Sequence, residues 1–190
     1  MRPENPGFRF RSVRGAAILA GALALLFSAG AWLRSLATRA PETLPDEGPV
    51  AAFAARDAGG RRWTPEDLAG KVWIADALPA GCASCLARGL RMTDLQTSLE
   101  RAPDVVLLTF VDDPALSSPQ KLSELARSFG ARAGKWTFVA GRSPFPEPRF
   151  ALVDASGRVR GLYAESDPAL ASEILDGVGD LLRERRAAGR

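Results

Sequence analysis

Histidine is absent from all 190 residues, and cysteine occurs only twice, at Cys82 and Cys85. Without imidazole the chain has no histidine general base, proton shuttle or metal ligand, so Ser-His-Asp and Cys-His sites are excluded. Two cysteines are too few for a closed zinc site, which takes four Cys or His ligands. The folded part also lacks an excess of positive charge. The formal net charge is +3, but the first 40 residues hold six Arg and one Glu, leaving 19 basic and 21 acidic side chains and a net of −2 for the rest. No basic patch interleaved with aromatics occurs there, so nucleic-acid binding has no support. Internal repeats are lacking as well. The whole chain is 46% apolar, with four Trp and nine Phe, a composition that builds a core and argues against disorder. The length suits one domain with a short extension.

The extension is at the N-terminus. Residues 1–15 are polar and carry Arg2, Arg9, Arg11 and Arg14; residues 16–33 carry no charge; Arg34 and Arg39 come next. Eighteen helical residues span roughly 27 Å, close to the thickness of a bilayer core. The run is expected to be a transmembrane signal anchor with residues 1–15 in the cytoplasm, by the positive-inside rule. The alternative is a cleaved signal peptide with an A-x-A site at Ala29-Gly30-Ala31. Both export the downstream chain, so the expected location is the cell membrane, single-pass, with the C-terminal domain on the extracytoplasmic (periplasmic) side. Residues 34–48 read as a polar, Pro-containing stem, and residues 49–190 as the domain.

Within that domain, Val50–Ala55 and Arg61–Trp63 are expected strands about the turn Asp57-Ala58-Gly59-Gly60. Thr64-Pro65-Glu66-Asp67 starts a short helix. Residues 71–78 and 104–111 are apolar runs that suit buried strands. From Cys85 to about Glu100 the spacing predicts a helix with Leu86, Leu90, Leu95 and Leu99 at its apolar positions. Ser118-Pro119 opens a second helix bearing Leu122, Leu125, Ala126 and Phe129, stopped by Gly130. Residues 136–140 form a short strand. Residues 150–153 and 158–163 form a hairpin about Asp154-Ala155-Ser156-Gly157. Leu170, Ile174, Val178, Leu181 and Leu182 stripe a last helix. Alternating strands and helices give an α/β domain with a central sheet covered on both faces.

The Cys pair lies between a buried strand and a helix, which is the thioredoxin-like context for C-x-x-C. Unpaired N–H groups and the dipole at a helix N-terminus stabilise a thiolate on Cys82, helped by Arg88 and Arg91. Cys85, in the first turn, is placed to attack a mixed disulfide. Pro148, one residue before a strand, is the second candidate site residue, by resemblance to thioredoxin-like proteins, which commonly place a cis-proline there beside the pair; the plainer reading is a turn proline in a loop with Pro144 and Pro146. For the pair itself, a static disulfide in an exported domain is the structural alternative. Asp112 and Asp113 read as a helix-entry turn, Trp73 and Trp136 as core, and Met92 as a helix residue rather than a thioether ligand.

Several stretches resemble the SCO/SenC family, thioredoxin-fold assembly factors of cytochrome c oxidase. They are residues 53–60, Asp67-Leu68-Ala69-Gly70-Lys71-Val72-Trp73, residues 111–119, and residues 122–130 leading into Gly134-Lys135-Trp136-Thr137-Phe138-Val139-Ala140-Gly141. The likeness runs over about residues 49–183. It implies a thioredoxin-like fold, a central mixed sheet flanked by helices, here with one N-terminal transmembrane helix. It also implies copper chemistry, a partner among oxidase subunits or other assembly factors, and a family copper site of C-x-x-x-C plus a distant His. This chain has C-x-x-C, and Pro146 lies near where the His would fall. Three readings are open. The first is a thiol–disulfide oxidoreductase exchanging with a protein thiol or disulfide, which needs no cofactor: Cys82 attacks, Cys85 resolves, and Pro148 shapes the receiving surface. The second is a Cu(I) chaperone holding copper between Cys82 and Cys85 with an external third ligand. The third is a non-catalytic partner-binding domain with a locked disulfide.

Overall fold

The computed structural model describes residues 44–146 and 149–188. The expected membrane anchor, most of the stem, and Pro148 lie outside the described residues. In chain order the elements are β1 (Ala55–Asp57), β2 (Arg62–Trp63), a 3-10 turn (Pro65–Leu68), β3 (Val72–Pro79), α1 (Cys85–Ser98), β4 (Val105–Asp112), α2 (Pro119–Ser128), β5 (Trp136–Ala140), β6 (Arg149–Val153), β7 (Val159–Ala164) and α3 (Leu170–Ala188). The strands form one mixed sheet in the order β2-β1-β5-β4-β3-β6-β7. β3 runs parallel to β4 from Val72↔Val105 to Pro79↔Asp112, and β4 runs parallel to β5. β6 pairs antiparallel with β3 and with β7.

The two apolar runs are the middle of this sheet, because parallel strands are covered on both faces and carry apolar residues at every position. Residues 72–78 are all buried. Their side chains alternate. Val72, Ile74 and Leu78 face Met92 and Leu95 of α1, Leu122 of α2, and Ile174 and Val178 of α3. Trp73, Ala75 and Ala77 face the other way, toward Phe110, Phe145 and Phe53. All three α-helices therefore share one face. Two successive parallel crossovers in the same direction, each right-handed, place α1 and α2 on the same side.

The second face is covered by extended chain. Residues 44–50 run beside β7: Glu47 donates to the Val159 carbonyl (2.9 Å), Val159 to that of Gly48 (2.9 Å), and Val50 to that of Gly157 (2.9 Å). Phe53 then packs edge-on to Phe110, with ring centroids 5.0 Å apart. The strand expected at Val50–Ala55 is accordingly displaced: Val50 is tied to the hairpin, and pairing with β5 starts only at Arg56↔Ala140. The β6–β7 hairpin turns as expected. Asp154 Oδ1 accepts from the Ser156 N–H (2.9 Å), the Ser156 hydroxyl (2.7 Å) and the Arg158 N–H (3.0 Å). Its other oxygen accepts from Arg160 (3.1 Å), which also binds Glu184 of α3.

Helix α1 corrects the expected apolar face. Leu95 and Leu99 are buried, but Leu86 and Leu90 are 67% and 53% exposed, and Arg88, Gly89, Met92 and Gln96 take the inner positions. The reason is the close approach of α2. A Cβ on Gly89 would lie 2.1 Å from the Phe129 ring, so the helix turns its glycine toward Phe129, and Leu86 and Leu90 are carried outward. Phe129 is fixed in turn by Phe138, stacked at 6.1 Å.

This packing sets the expected effect of two substitutions. Gly89→Ala overpacks the α1–α2 contact and should lower unfolding free energy in urea by about 1–3 kcal/mol. Gly179→Ala, in α3, meets only the flexible end of Arg183 at 3.4 Å and should raise it by up to about 1 kcal/mol.

Acid should loosen the hairpin. Burial pushes the Asp154 carboxyl up, but bonds from Ser156, Arg158 and Arg160 outweigh it and hold the group below its ordinary value. A depressed carboxylate contributes stability above its unfolded value of about 3.9, and this is lost as pH falls through the lower folded value. Asp154→Asn should therefore lower the urea midpoint at pH 6, with the difference from the unsubstituted protein closing below about pH 4.

Candidate functional site

The parallel pairing of β3 and β4 ends at Pro79↔Asp112, and from there the chain leaves the sheet. Ala80 donates to the Asp112 carbonyl (3.2 Å), and Cys82 donates back to the Pro79 carbonyl (3.3 Å). Gly81, at φ +70°, supplies the positive φ that a tight turn with this bond takes at its third position. The turn brings Cys82 to the start of α1, whose first residue is Cys85. The two cysteines form a disulfide with Cα atoms 5.4 Å apart. Both are half-buried, and Cys85 packs against the helix-side core.

Ser84 is the N-cap residue of α1, yet its hydroxyl makes no capping bond. Instead it donates to Glu165 Oε2 at 3.0 Å, and its oxygen lies 4.0 Å from Cys82 Sγ. The same carboxylate oxygen accepts from Arg88 Nη1 at 3.2 Å. Arg88 is 1% exposed, with its guanidinium 5.2 Å from the Phe150 ring centroid. Its burial follows from position: residue 88 is one turn from Cys85 on the inner side of the helix, and helical side chains lean toward the N-terminus. Glu165 comes directly after β7, so the hairpin supplies the counter-charge to Arg88, 77 residues earlier.

Beneath the motif lies a buried polar group. Asp76 is 2% exposed and shares the helix-covered side of β3 with Ile74 and Leu78. Thr109 of β4 donates to Asp76 Oδ1 at 2.5 Å and accepts from Trp136 Nε1 at 2.9 Å. Asp76 interrupts the otherwise apolar run 72–78, which is a readable signal. Glu165 has none, since nothing local links a loop carboxylate to a distant helix.

Trp73, Trp136 and Met92 are core residues, 1%, 3% and 0% exposed. Asp113 shapes the entry turn, its Oδ1 accepting from the Ala115 N–H at 2.8 Å, while Asp112 borders the Cys82 turn through its carbonyl. A separate cavity of about 490 Å³ lies by α2 and β5, lined by Trp63, Leu122, Arg127, Trp136 and Phe138 among others, with no residue of the Cys82–Glu165 network.

Copper finds only part of a site. Reduced Cys82 and Cys85 would offer two soft sulfurs, enough for low-coordinate Cu(I). Among the described residues no group of three His, Cys, Asp or Glu is placed to hold a metal. The sequence contains no His. The three-ligand copper site implied by the resemblance is therefore not built by the described residues.

No protein-family model matches the sequence. The SCO1 protein homolog of Bacillus subtilis (strain 168) is 31% identical over 105 residues, 54% of this chain and 54% of that protein. The chain thus spans about half the length of that curated relative. Among solved structures, a SCO1/SenC family lipoprotein from Bacillus anthracis str. Ames superposes with a TM-score of 0.61 at 24% identity, covering 76% of this chain and 98% of that one. BsSco, described as a member of the Sco family of cytochrome c oxidase assembly proteins with a disulfide switch, gives 0.60 at 25% identity, covering 70% and 92%. The mixed sheet, the strand-to-helix placement of the cysteines and these likenesses agree: the chain is similar to SCO1/SenC proteins and shares their fold, with C-x-x-C and no histidine.

Proposed function

We propose that this protein is an exported, membrane-anchored thiol–disulfide oxidoreductase that exchanges with cysteines of a partner protein during assembly of the cytochrome c oxidase copper site. The observation that carries the reading is the Cys82–Cys85 disulfide at the N-terminus of α1. Unpaired N–H groups there favour a thiolate. In the reducing direction, Cys82 thiolate attacks a partner disulfide, forming a Cys82–partner disulfide and releasing one partner thiolate, which takes a proton. Cys85 thiolate then attacks the Cys82 sulfur, releasing the second partner thiolate. Two electrons pass from the pair to the partner, and the protein's disulfide is left closed. Oxidation of a partner dithiol is the reverse sequence.

A protein partner is favoured over a small thiol by Leu86 and Leu90. These are the exposed large hydrophobics among the described residues, one and five residues past Cys85 and therefore on one helix face. Location outside the cytoplasm is supported by the charge-free run at residues 16–33, preceded by four Arg, and by the disulfide itself. The Cu(I)-chaperone reading stands second because its third ligand would have to come from outside the chain.

Cys82→Ser should abolish exchange, and Cys85→Ser should accumulate a mixed disulfide visible on non-reducing gels. Full exchange activity in Cys82→Ser would overturn the function. Leu86→Glu with Leu90→Glu should slow exchange with a protein disulfide by about tenfold, equivalent to about 1.4 kcal/mol of lost contact, while leaving the rate with oxidised glutathione near that of the unsubstituted protein. In an anaerobic competition titration, the reduced protein should hold Cu(I) only weakly; tight one-to-one uptake would favour the chaperone reading instead.

A further inference from the structure

A guanidinium carries five N–H donors, and burying one without partners is costly. Arg88 is 1% exposed, yet only Nη1 makes a hydrogen bond, and Nε and Nη2 are buried without a hydrogen-bond partner among the described residues. Glu165 gives this cation a single oxygen, and that oxygen is shared with the Ser84 hydroxyl. Ser84 has one proton, directed at Glu165, while its oxygen sits 4.0 Å from Cys82 Sγ. The disulfide is neutral, so in the oxidised protein Glu165 meets no competing anion from the pair. Reduction changes this, because a Cys82 thiolate places a negative charge beside Ser84, one turn from Arg88.

We infer that Arg88 is a positioning cation that stabilises the reduced Cys pair, and that Glu165 restrains it by competing with the Cys82 thiolate for the Arg88 charge and the Ser84 proton. The inference deepens the oxidoreductase reading and rests on the pair being redox-active. When the pair is reduced, the Ser84 hydroxyl turns from the carboxylate to the thiolate, and the Arg88 charge, one turn from Ser84, acts on a second anion. Other charged residues close to the pair along the described elements are Arg91 on the same helix, Asp112 and Asp113 at the end of β4, and Asp76 on β3. Arg88 and Glu165 are distinguished from these by lying in one hydrogen-bonded chain with the Ser84 hydroxyl.

The two charges then act with opposite sign, whereas a merely structural tether between α1 and the loop after β7 would make both substitutions act alike. The test is the equilibrium of the full chain with glutathione at pH 7, in which two glutathione thiols reduce the disulfide and leave one oxidised glutathione. Glu165→Gln should shift the constant about tenfold toward the dithiol, about 30 mV for a two-electron couple, and should speed iodoacetamide alkylation of the reduced protein. Arg88→Gln should shift both about tenfold the other way. Glu165→Asp, which keeps the charge, should stay within about twofold of the unsubstituted protein. Shifts of the same sign in Glu165→Gln and Arg88→Gln, or no shift in Glu165→Gln, would overturn the inference. If Arg88→Gln does not fold, the contrast between Glu165→Gln and Glu165→Asp decides. The glutathione equilibrium needs no partner protein, so failure to exchange with protein disulfides would count against the proposed function alone.

Discussion

The parallel register of β3 on β4 is the constraint on which the rest depends. Eight consecutive pairs, from Val72↔Val105 to Pro79↔Asp112, lock the two longest strands together, and the last pair fixes where the backbone departs toward Cys82. A slip of one residue would exchange Trp73 and Ala75 with Ile74 and Leu78, presenting the wrong side chains to both cores. It would also move the turn that presents the cysteines. The position of the pair is thus a consequence of core packing on either side of one strand, and the site needs little flexible loop to hold it.

That same strand end shows how a neutral disulfide comes to sit beside charged groups. A buried arginine is tolerated because Phe150 lies by its guanidinium and Glu165 meets one of its nitrogens. Replacing such a pair with apolar residues is often neutral or stabilising, while removing one partner is costly. The incompletely paired guanidinium is therefore a cost to the fold, and it lies in one hydrogen-bonded chain with Ser84, between the two cysteines. Asp76 differs: its bond from Thr109, itself bonded by Trp136, ties β3, β4 and β5 together beneath the motif.

Much of the fold could be read from residues alone. The apolar runs became β3 and β4 within one residue because parallel central strands leave an unbroken apolar signature. Ser118 caps α2 by accepting from the Lys121 N–H, and the Asp154-Ala155-Ser156-Gly157 turn closes as its residue types require. Periodicity misjudged α1. Leu86 and Leu90 have helical spacing, but the face that a helix buries is chosen by its neighbour, and Phe129 fits only against Gly89. The first strand was misplaced because the extended run at Val50 is bound to the β6–β7 hairpin rather than to β5. At the site, Cys82, Cys85 and the helix N-terminus were legible, and Arg88 was partly so. Glu165 was not, since it is brought in by tertiary closure across 81 residues.

The strand-like segment at residues 44–50 bears on timing. It is held by β7 backbone and by the Asp46–Arg158 ion pair, joining residues 112 apart in the chain. A polypeptide emerging N-terminus first cannot close those bonds until residues 157–160 have emerged too. The first-made part of the domain, residues 44–50, must therefore wait unpaired for the β6–β7 hairpin. Contacts of such long sequence separation form slowly, so chaperone capture or premature oxidation would find its longest opportunity in this interval, before the hairpin arrives.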